Sequence, residues 1–289
     1  MKKIFFLVLI LLNTVFLRIY KIGLVPPLKS QADLDLRYLS SILGILSVFL
    51  IYFYVKKIFQ ENVRMGLLGA WVFSLLPWTI EQNRIISQPT YALFILIIAL
   101  LISLVNKNKI IKYGVFFVFA LILYFVYPQF WLFRHFAHLP GIKDVADNVF
   151  ILVSPDLLFF KNITFWWGGV RDYGILLLGF LPFLLVGFYR VVVSQKKEIL
   201  LPFFLLLMIS ALSPFFPESR EYYLTLPFIT VFISVGIWNI FRNKYFLSNV
   251  LSVFLFLFLI YDFAGFLHFY QIHYPQFIIG NLHNIHVPY

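Results

Sequence analysis

Apolar runs of about twenty residues recur along this chain from one end to the other. The hydrocarbon core of a bilayer is about 30 Å thick, and a helix rising 1.5 Å per residue crosses it with about 20 apolar residues. The 289 residues are 62% hydrophobic and only 12% charged, so the chain has too little polar surface to be soluble in water. The sequence therefore predicts an all-α, polytopic transmembrane helical bundle.

The hydrophobic pattern predicts about nine membrane-spanning helices. They cover residues 4–20, 38–55, 65–80, 90–105, 113–129, 173–193, 199–216, 222–241 and 246–269. The first has the basic start of a signal peptide, but no small-residue cleavage site follows it, which favours an uncleaved span. We expect residues 1–289 to form a single transmembrane domain, with an outer loop at 130–172 and a short outer tail at 270–289.

The basic residues orient the bundle. With the amino terminus in the cytoplasm, the inside segments contain only Glu61 and Glu198 as acidic residues, and the whole formal net charge of +11 lies there. Short cytoplasmic loops of multi-pass proteins carry an excess of Lys and Arg. The charge thus reflects topology and predicts no nucleic-acid partner. We predict a multi-pass protein of the plasma (inner) membrane, with a cytoplasmic amino terminus and an outer carboxy terminus.

The long connections all lie on the predicted outer face, at 18–37, 130–172 and 270–289, whereas the inside connections are short and basic. Long irregular connections in a compact protein are usually functional, so a site is expected on the outer face. Within the large loop, residues 149–160 are too few to span a bilayer and too apolar for water. They are typical of an interfacial or re-entrant segment.

Two groups of charged residues on that face are candidates for chemistry. Asp33 and Asp35 precede the second span, and a carboxylate there can act as a general base or hold a divalent cation. A simple ion pair with Arg37 is an equal alternative. Glu81 and Arg84 are three residues apart, which places them on one helical face. Arg84 can then bind a lipid phosphate, or the two can form a structural pair.

Residues that several other kinds of site require are absent from the sequence. Cysteine is absent, and no Gly-rich phosphate loop or GxSxG elbow occurs. All six histidines lie in the predicted outer segments or at the outer end of the last span, and the pairs His135/His138 and His283/His286 have no accompanying carboxylate motif, so no metal site is predicted. The long apolar helices lack a central ionisable residue, Asp262 being the nearest exception, which argues against an ion channel or a proton-coupled transporter.

Several stretches, in order, resemble the polytopic GT-C glycosyltransferases, in the protein mannosyltransferase and aminoarabinose transferase branch that uses polyprenyl-phosphate sugars. LRIYKIGLVPP is similar to the end of that family's first helix, RYLSSILGILSVFLIYFYVKKIF to its second, and GLLGAWVFSLLPWTIEQNRI to the following one. SPDLLFFKN with GILLLGFLPFLLVGFYR, and PESREYYLTLPFITVFISVGI, resemble later blocks, and FYQIHYPQ resembles the segment before the family's outer carboxy-terminal domain. Together the stretches cover about two thirds of the chain.

The resemblance implies a GT-C-like fold and a membrane glycosyltransferase that moves a sugar from a polyprenyl-phosphate carrier to an acceptor on the outer face. It implies Asp33 as the catalytic base. Arg84, Lys161, Arg171 and Arg220 are then the candidates for binding the lipid phosphate. No cofactor is required, although a divalent cation is an open alternative for stabilising that phosphate. The partners expected are the polyprenyl-phosphate sugar and membrane lipid.

The chain also departs from the family. Its first outer loop has about twenty residues, too few for two interfacial helices with their turns, and it lacks the family's Asp-Glu motif. A middle helical hairpin and the outer carboxy-terminal domain are missing as well. If Asp33 is not the base, Asp156 or Asp172 of the large loop has to replace it. The alternative function is a non-catalytic, degenerate GT-C-like subunit that binds lipid or a partner protein.

Overall fold

A computed structural model describes residues 2–24, 31–106, 108–126, 140–160, 173–213, 221–242 and 246–276. Every regular element in these ranges is helical. The α-helices are α1 (Lys2–Ile19), α2 (Gln31–Ile58), α3 (Val63–Leu75), α4 (Pro77–Gln82), α5 (Gln88–Val105), α6 (Lys109–Val126), α7 (Ile142–Leu152), α8 (Leu181–Val193), α9 (Lys197–Ala211), α10 (Leu226–Arg242) and α11 (Phe246–His268). Short 3₁₀ turns precede α8 and α10, and π-helical turns cover Asp156–Phe160 and Phe269–His273.

Four helices of the described ranges are long and apolar enough to cross a bilayer. They are Leu34–Ile58, Gln88–Val105, Tyr222–Arg242 and Val250–Gln276, and the bent pair of Leu178–Val193 with Lys197–Ala211 makes a fifth candidate. Large apolar side chains such as Phe5, Ile110 and Phe254 are more than half exposed. Such surfaces suit lipid and not water, because lipid tails solvate them without cost. The chain is therefore a multi-pass membrane protein.

Helix α10 is the centre of the bundle. The apolar window of Tyr222–Arg242 is 78% buried, against 22% for Val250–Gln276, which places the last helix at the periphery. Helices α8 and α10 pack most closely, and they cross at Gly187 and Gly236. A Cβ on Gly187 would meet the carbonyl oxygen of Phe232, and one on Gly236 would meet that of Phe183. Only glycine lets the two backbones come this close, as at other small-residue helix crossings in membranes.

The observed helices refine the predicted spans. Pro26 and Pro27 predict an extended entry to the second span, but helix α2 begins at Gln31, so Asp33 and Asp35 lie in its first turns. The predicted third span is broken, because Leu76 precedes Pro77 and has extended dihedral angles (φ −63°, ψ 124°). Proline at the first position then starts the short helix α4.

Helix limits also differ from the prediction at two other places. The span expected at 173–193 becomes helical only from Leu178, and the outer loop contains helix α7 and the π turn Asp156–Phe160. Helical structure continues to Gln276, so the predicted tail from residue 270 begins inside the last helix. Tyr270 and Tyr274 are buried there, which explains why the helix continues: their rings stack 5.5 Å apart against the bundle.

Candidate functional site

Several helix ends converge at one end of the bundle, which we call the polar end. The last turn of α1, the first turns of α2 and α5, helix α4, and the beginning of the Tyr222–Arg242 helix meet there. The Ser41 hydroxyl on α2 lies 2.8 Å from the carbonyl oxygen of Asn83 and 3.3 Å from that of Arg18. One hydroxyl therefore ties α2 to both α1 and the turn after α4.

Asn83 connects the remaining elements of the polar end. Its side-chain oxygen accepts hydrogen bonds from the hydroxyls of Thr90 (3.2 Å) and Tyr223 (3.3 Å). Gly44 of α2 makes the room, since a Cβ there would overlap the Asn83 side chain. Every residue of α4 is buried, and the Thr79 hydroxyl donates back towards the carbonyl oxygens of Phe73 and Leu76. Because the helix breaks at Leu76, the polar side chains of α4 are buried at the polar end.

Three arginines and one glutamate lie in this interior. We call Arg18, Arg37, Arg84 and Glu81 the arginine cluster. Arg18 and Arg84 are fully buried, and Arg37 and Glu81 are exposed by 7% and 2%. A buried charge costs several kcal/mol unless it is paired and hydrogen-bonded. With three guanidinium groups and one carboxylate, the cluster has an excess of positively charged groups.

Each guanidinium makes at least one contact with an oxygen atom. Arg84 Nη1 donates to the carbonyl oxygen of Leu17 at 2.9 Å, and its guanidinium carbon lies 5.5 Å from the centre of the Tyr270 ring. Arg37 Nη1 donates to the carbonyl oxygen of Ile22 at 3.4 Å. Arg18 Nη2 donates to the Thr79 hydroxyl at 3.2 Å. These contacts fix the arginines against the ends of α1 and α4.

Not all donors of the polar end have an acceptor. Among the described residues, Arg18 Nε, Arg18 Nη1, Trp78 Nε1 and Asn83 Nδ2 are buried without a hydrogen-bond partner. The Trp78 ring lies edge-on to Tyr223, with ring centres 5.4 Å apart. Buried donors without acceptors are rare in folded proteins and call for a missing partner. An oxyanion is the ligand that fits donors grouped beside an excess of guanidinium.

The structure describes only some of the predicted site residues. Arg84 lies in the arginine cluster and not at an exposed interface. Asp33 is in the first turn of α2, but its side chain lies outside the described residues, as do Lys161, Arg171, Arg220 and Asp172. Asp156 begins a π turn and is exposed. Both i,i+3 histidine pairs are also outside the described ranges, within which no three metal-ligating side chains converge.

Sequence reasoning missed Arg18 as a site residue, because an arginine after an apolar run is commonly a cation that marks the membrane boundary. Asn83 and Tyr223 were missed too, since they are far apart in sequence and become neighbours only in the fold. Arg18 does have a usable signal: it falls within the last turn of α1. An ionisable residue that the helix itself carries into the bundle is a site candidate.

Three large cavities are found in the described part of the chain, and none is lined by Arg18 or Arg84. An apolar groove of about 650 Å³ lies between α1, α3, α10 and α11, with Trp71 and Phe256 in its wall and Arg64 at its edge. A second, polar cavity of about 410 Å³ lies at the turns after α2 and α8. A third, of about 440 Å³, separates α5 from α6.

Asp262, the one carboxylate noted inside an apolar span, has a structural partner. Its Oδ2 accepts a hydrogen bond from the backbone N–H of Gly179 at 2.8 Å. Gly179 belongs to the 3₁₀ turn that starts α8, where the first N–H groups have no partner within the helix. Asp262 thus caps one helix from another, a role that needs no ion pathway.

Comparison with known proteins gives no match: no family model matches the chain, and neither does any curated protein or solved structure. The class that the fold defines is therefore an all-helical, multi-pass membrane protein with a buried arginine cluster at one end of its bundle.

Proposed function

We propose that the protein is a membrane glycosyltransferase that moves a sugar from a polyprenyl-phosphate carrier to an acceptor on the outer face of the plasma membrane. Its scaffold is a reduced GT-C-like bundle of about nine spans. That count takes α1, α3 with α4, α6 and both limbs of the bent pair as crossings, in addition to the four helices of full length. The amino terminus is cytoplasmic and the carboxy terminus lies outside.

The arginine cluster is the observation that carries this proposal. A polyprenyl phosphate is an amphiphile whose charged group sits at the membrane surface, and guanidinium groups bind phosphate through several N–H donors at once. The buried donors of Arg18 that lack acceptors are available for such an oxyanion. The cluster lies at the end of the bundle away from the basic turns, and that end faces outwards if the positive-inside rule orients the chain.

The reaction is a displacement at the anomeric carbon. The acceptor hydroxyl loses its proton to a carboxylate and forms the new bond to carbon, while the bond from that carbon to the phosphate oxygen breaks. The departing phosphate keeps the electron pair, and the guanidinium groups stabilise its charge. Asp33 is the proposed base, four residues before Arg37 on the same face of α2. Lys161, Arg171 and Arg220 are further phosphate candidates, and a divalent cation is the alternative stabiliser.

One observation favours a second function, that of a non-catalytic GT-C-like subunit binding lipid or a partner protein. Arg18 and Arg84 are fully buried, and neither of them lines any of the three cavities described above. An arginine cluster closed in this way fixes helix ends without admitting a substrate. The glycosyltransferase function then requires the polar end to open when the carrier lipid binds.

The test is transfer of a radiolabelled sugar from a polyprenyl-phosphate donor by the purified full chain. Losing a positioned general base lowers a rate by about a hundred to ten thousand fold. We expect such a loss in Asp33→Asn and none in Asp35→Asn, which changes a neighbouring exposed carboxylate of the same helix. Unchanged turnover in Asp33→Asn removes that residue from the mechanism.

A second pair of variants tests the cluster. Arg18→Gln should weaken binding of the polyprenyl-phosphate donor. Arg64→Gln, at the opposite end of the bundle, should leave sugar transfer unchanged. Thermal unfolding of each variant in detergent separates loss of binding from loss of fold. No turnover by the wild-type chain with any lipid-linked sugar would favour the non-catalytic function.

A further inference from the structure

Two tight turns meet at the end of the bundle opposite the arginine cluster. Residues 59–62 connect α2 to α3, and residues 194–196 connect α8 to α9. Gln60, Glu61 and Gln195 have left-handed backbone angles, with φ of 52°, 67° and 50°. Side chains larger than glycine pay about 1–2 kcal/mol for this conformation. Such strained residues persist where the surrounding structure holds them, and they are enriched around binding sites.

A polar cavity of about 410 Å³ lies between the two turns and α10. We call it the basic pocket, and its polar lining consists of Gln60, Asn62, Arg190, Ser194, Lys196 and Asn239. This volume is within the range of small-ligand sites, about 300–1,000 Å³. Asn62 is engaged in capping α3, and the Asn239 amide donates to the carbonyl oxygen of Val235 at 2.8 Å. The cationic side chains are thus the principal groups left for a ligand.

The two cations of the basic pocket are not neutralised by the described carboxylates. Glu61, the carboxylate in the turn between α2 and α3, is already bound to Lys56 (2.7 Å) and Lys57 (3.2 Å), neither of which lines the pocket. Hydrogen bonds from these lysines lower the pKa of the Glu61 carboxyl below its ordinary value, so it remains their anion. Lys196 Nζ lies 4.3 Å from the centre of the Phe59 ring, which holds the ammonium without cancelling its charge.

The pocket also adjoins an apolar surface. Trp238 lines both the basic pocket and the apolar groove of about 650 Å³. On α10, Val235 and Asn239 line the pocket side, whereas Ile237 and Phe241 line the groove side. A ligand with an anionic group and an apolar chain therefore finds matching surfaces on the two sides of one indole ring.

We propose that the basic pocket binds a phosphate group through Arg190 and Lys196. Phosphate suits a guanidinium in the last turn of α8 and an ammonium in the connection that follows, because its several oxygens accept from both at once. The site is separate from the lipid phosphate of the proposed transferase, which belongs to the other end of the bundle. The phosphate belongs either to a water-soluble ligand or to the headgroup of an anionic lipid.

The experiment measures thermal unfolding and binding for the purified full chain in two arms. One arm titrates inorganic phosphate against chloride at equal ionic strength, and the other compares phosphatidylglycerol with phosphatidylcholine in nanodiscs. We expect phosphate, phosphatidylglycerol or both to raise the melting temperature of the wild type. Stabilisation by phosphate identifies a soluble ligand class, and stabilisation by phosphatidylglycerol alone identifies a headgroup.

A matched pair of double variants decides whether the pocket is responsible. Arg190→Gln with Lys196→Gln should weaken binding by at least about tenfold, as expected for the loss of two charge-assisted contacts. Lys197→Gln with Arg242→Gln removes the same charge from exposed residues of the basic end that do not line the pocket. Equal weakening in both double variants, or no binding by the wild type in either arm, overturns the proposal.

Discussion

At the scale of single residues, a few polar side chains determine how the apolar helices join. Asn83 accepts from Thr90 and Tyr223, and Arg18 donates to Thr79, so α1, α4, α5 and the start of the Tyr222–Arg242 helix share one hydrogen-bonded interior. In a bilayer no water can replace these bonds, and each polar group at such depth must find a protein partner. Arg18 keeps two donor atoms without a partner, and we expect these atoms to respond to a bound anion.

Asp262 provides a prediction at this scale. Replacing it with alanine leaves the N–H of Gly179 without its acceptor and should cost about 1 kcal/mol, as for other lost helix caps. Asp262→Asn keeps an acceptor oxygen and should lose less stability than the alanine variant. Thermal unfolding in detergent gives the order wild type, Asn, Ala. A chain in which Asn and Ala are equally destabilised would show that charge, and not the hydrogen bond, is what matters there.

At the scale of elements, close backbone approach and one helix break shape the bundle. The crossing of α8 and α10 depends on Gly187 and Gly236, while the break at Leu76 turns α4 into the polar end. Both features come from residues with special backbone properties. A glycine removes the steric limit to approach, and a proline constrains the residue before it.

The glycine crossing gives a second prediction. Gly236→Leu forces α8 and α10 apart and should destabilise the protein by about 1–3 kcal/mol or more, as overpacked interiors do. Gly114→Ala on α6 is the matched control, because no atom lies within 4 Å of a Cβ at that position. Alanine there should be neutral or stabilise the helix. Equal melting temperatures for Gly236→Leu and wild type would contradict the observed crossing.

At the scale of the whole molecule, the two ends of the bundle differ in kind. One end buries the arginine cluster, and the other carries exposed basic residues around strained turns. This polarity matches the distribution of charge in the sequence, where the predicted inside segments contain the whole net charge of +11. The orientation in the membrane follows as a prediction.

The absence of cysteine makes that orientation directly measurable. Lys21→Cys, after α1, and Gln195→Cys, between α8 and α9, are exposed positions at the two ends. An impermeant maleimide applied to intact cells should label Cys at 21 and not at 195, and both after permeabilisation. A reporter fused after Tyr289 should give an outer signal. The reverse labelling pattern would refute the proposed topology.

Much of the fold is predictable from sequence because apolar run length sets helix length in a bilayer. Helices α1 and α5 begin and end within about three residues of their predicted limits, and α11 begins at its predicted residue. The early start of α2 was not predictable, since the polar residues of its first turns give no hydrophobic signal. The late start of α8 was not predictable for the opposite reason: residues 173–180 are apolar, and a short apolar run does not distinguish a helix from an extended segment. For the candidate site, the spacing from Glu81 placed Arg84 among the predicted residues, whereas Arg18 was not among them.

The sequence by itself determined the solvent of this protein, its helical class and the asymmetry of its charge, because these follow from composition and run length alone. Tertiary structure alone decided which polar residues meet. Asn83 and Tyr223 are 140 positions apart, and Arg18 and Thr79 are 61 apart, yet each pair shares a hydrogen bond. No local pattern encodes such contacts, since they depend on how helix ends register when the α8–α10 crossing and the turn at Leu76 bring them together.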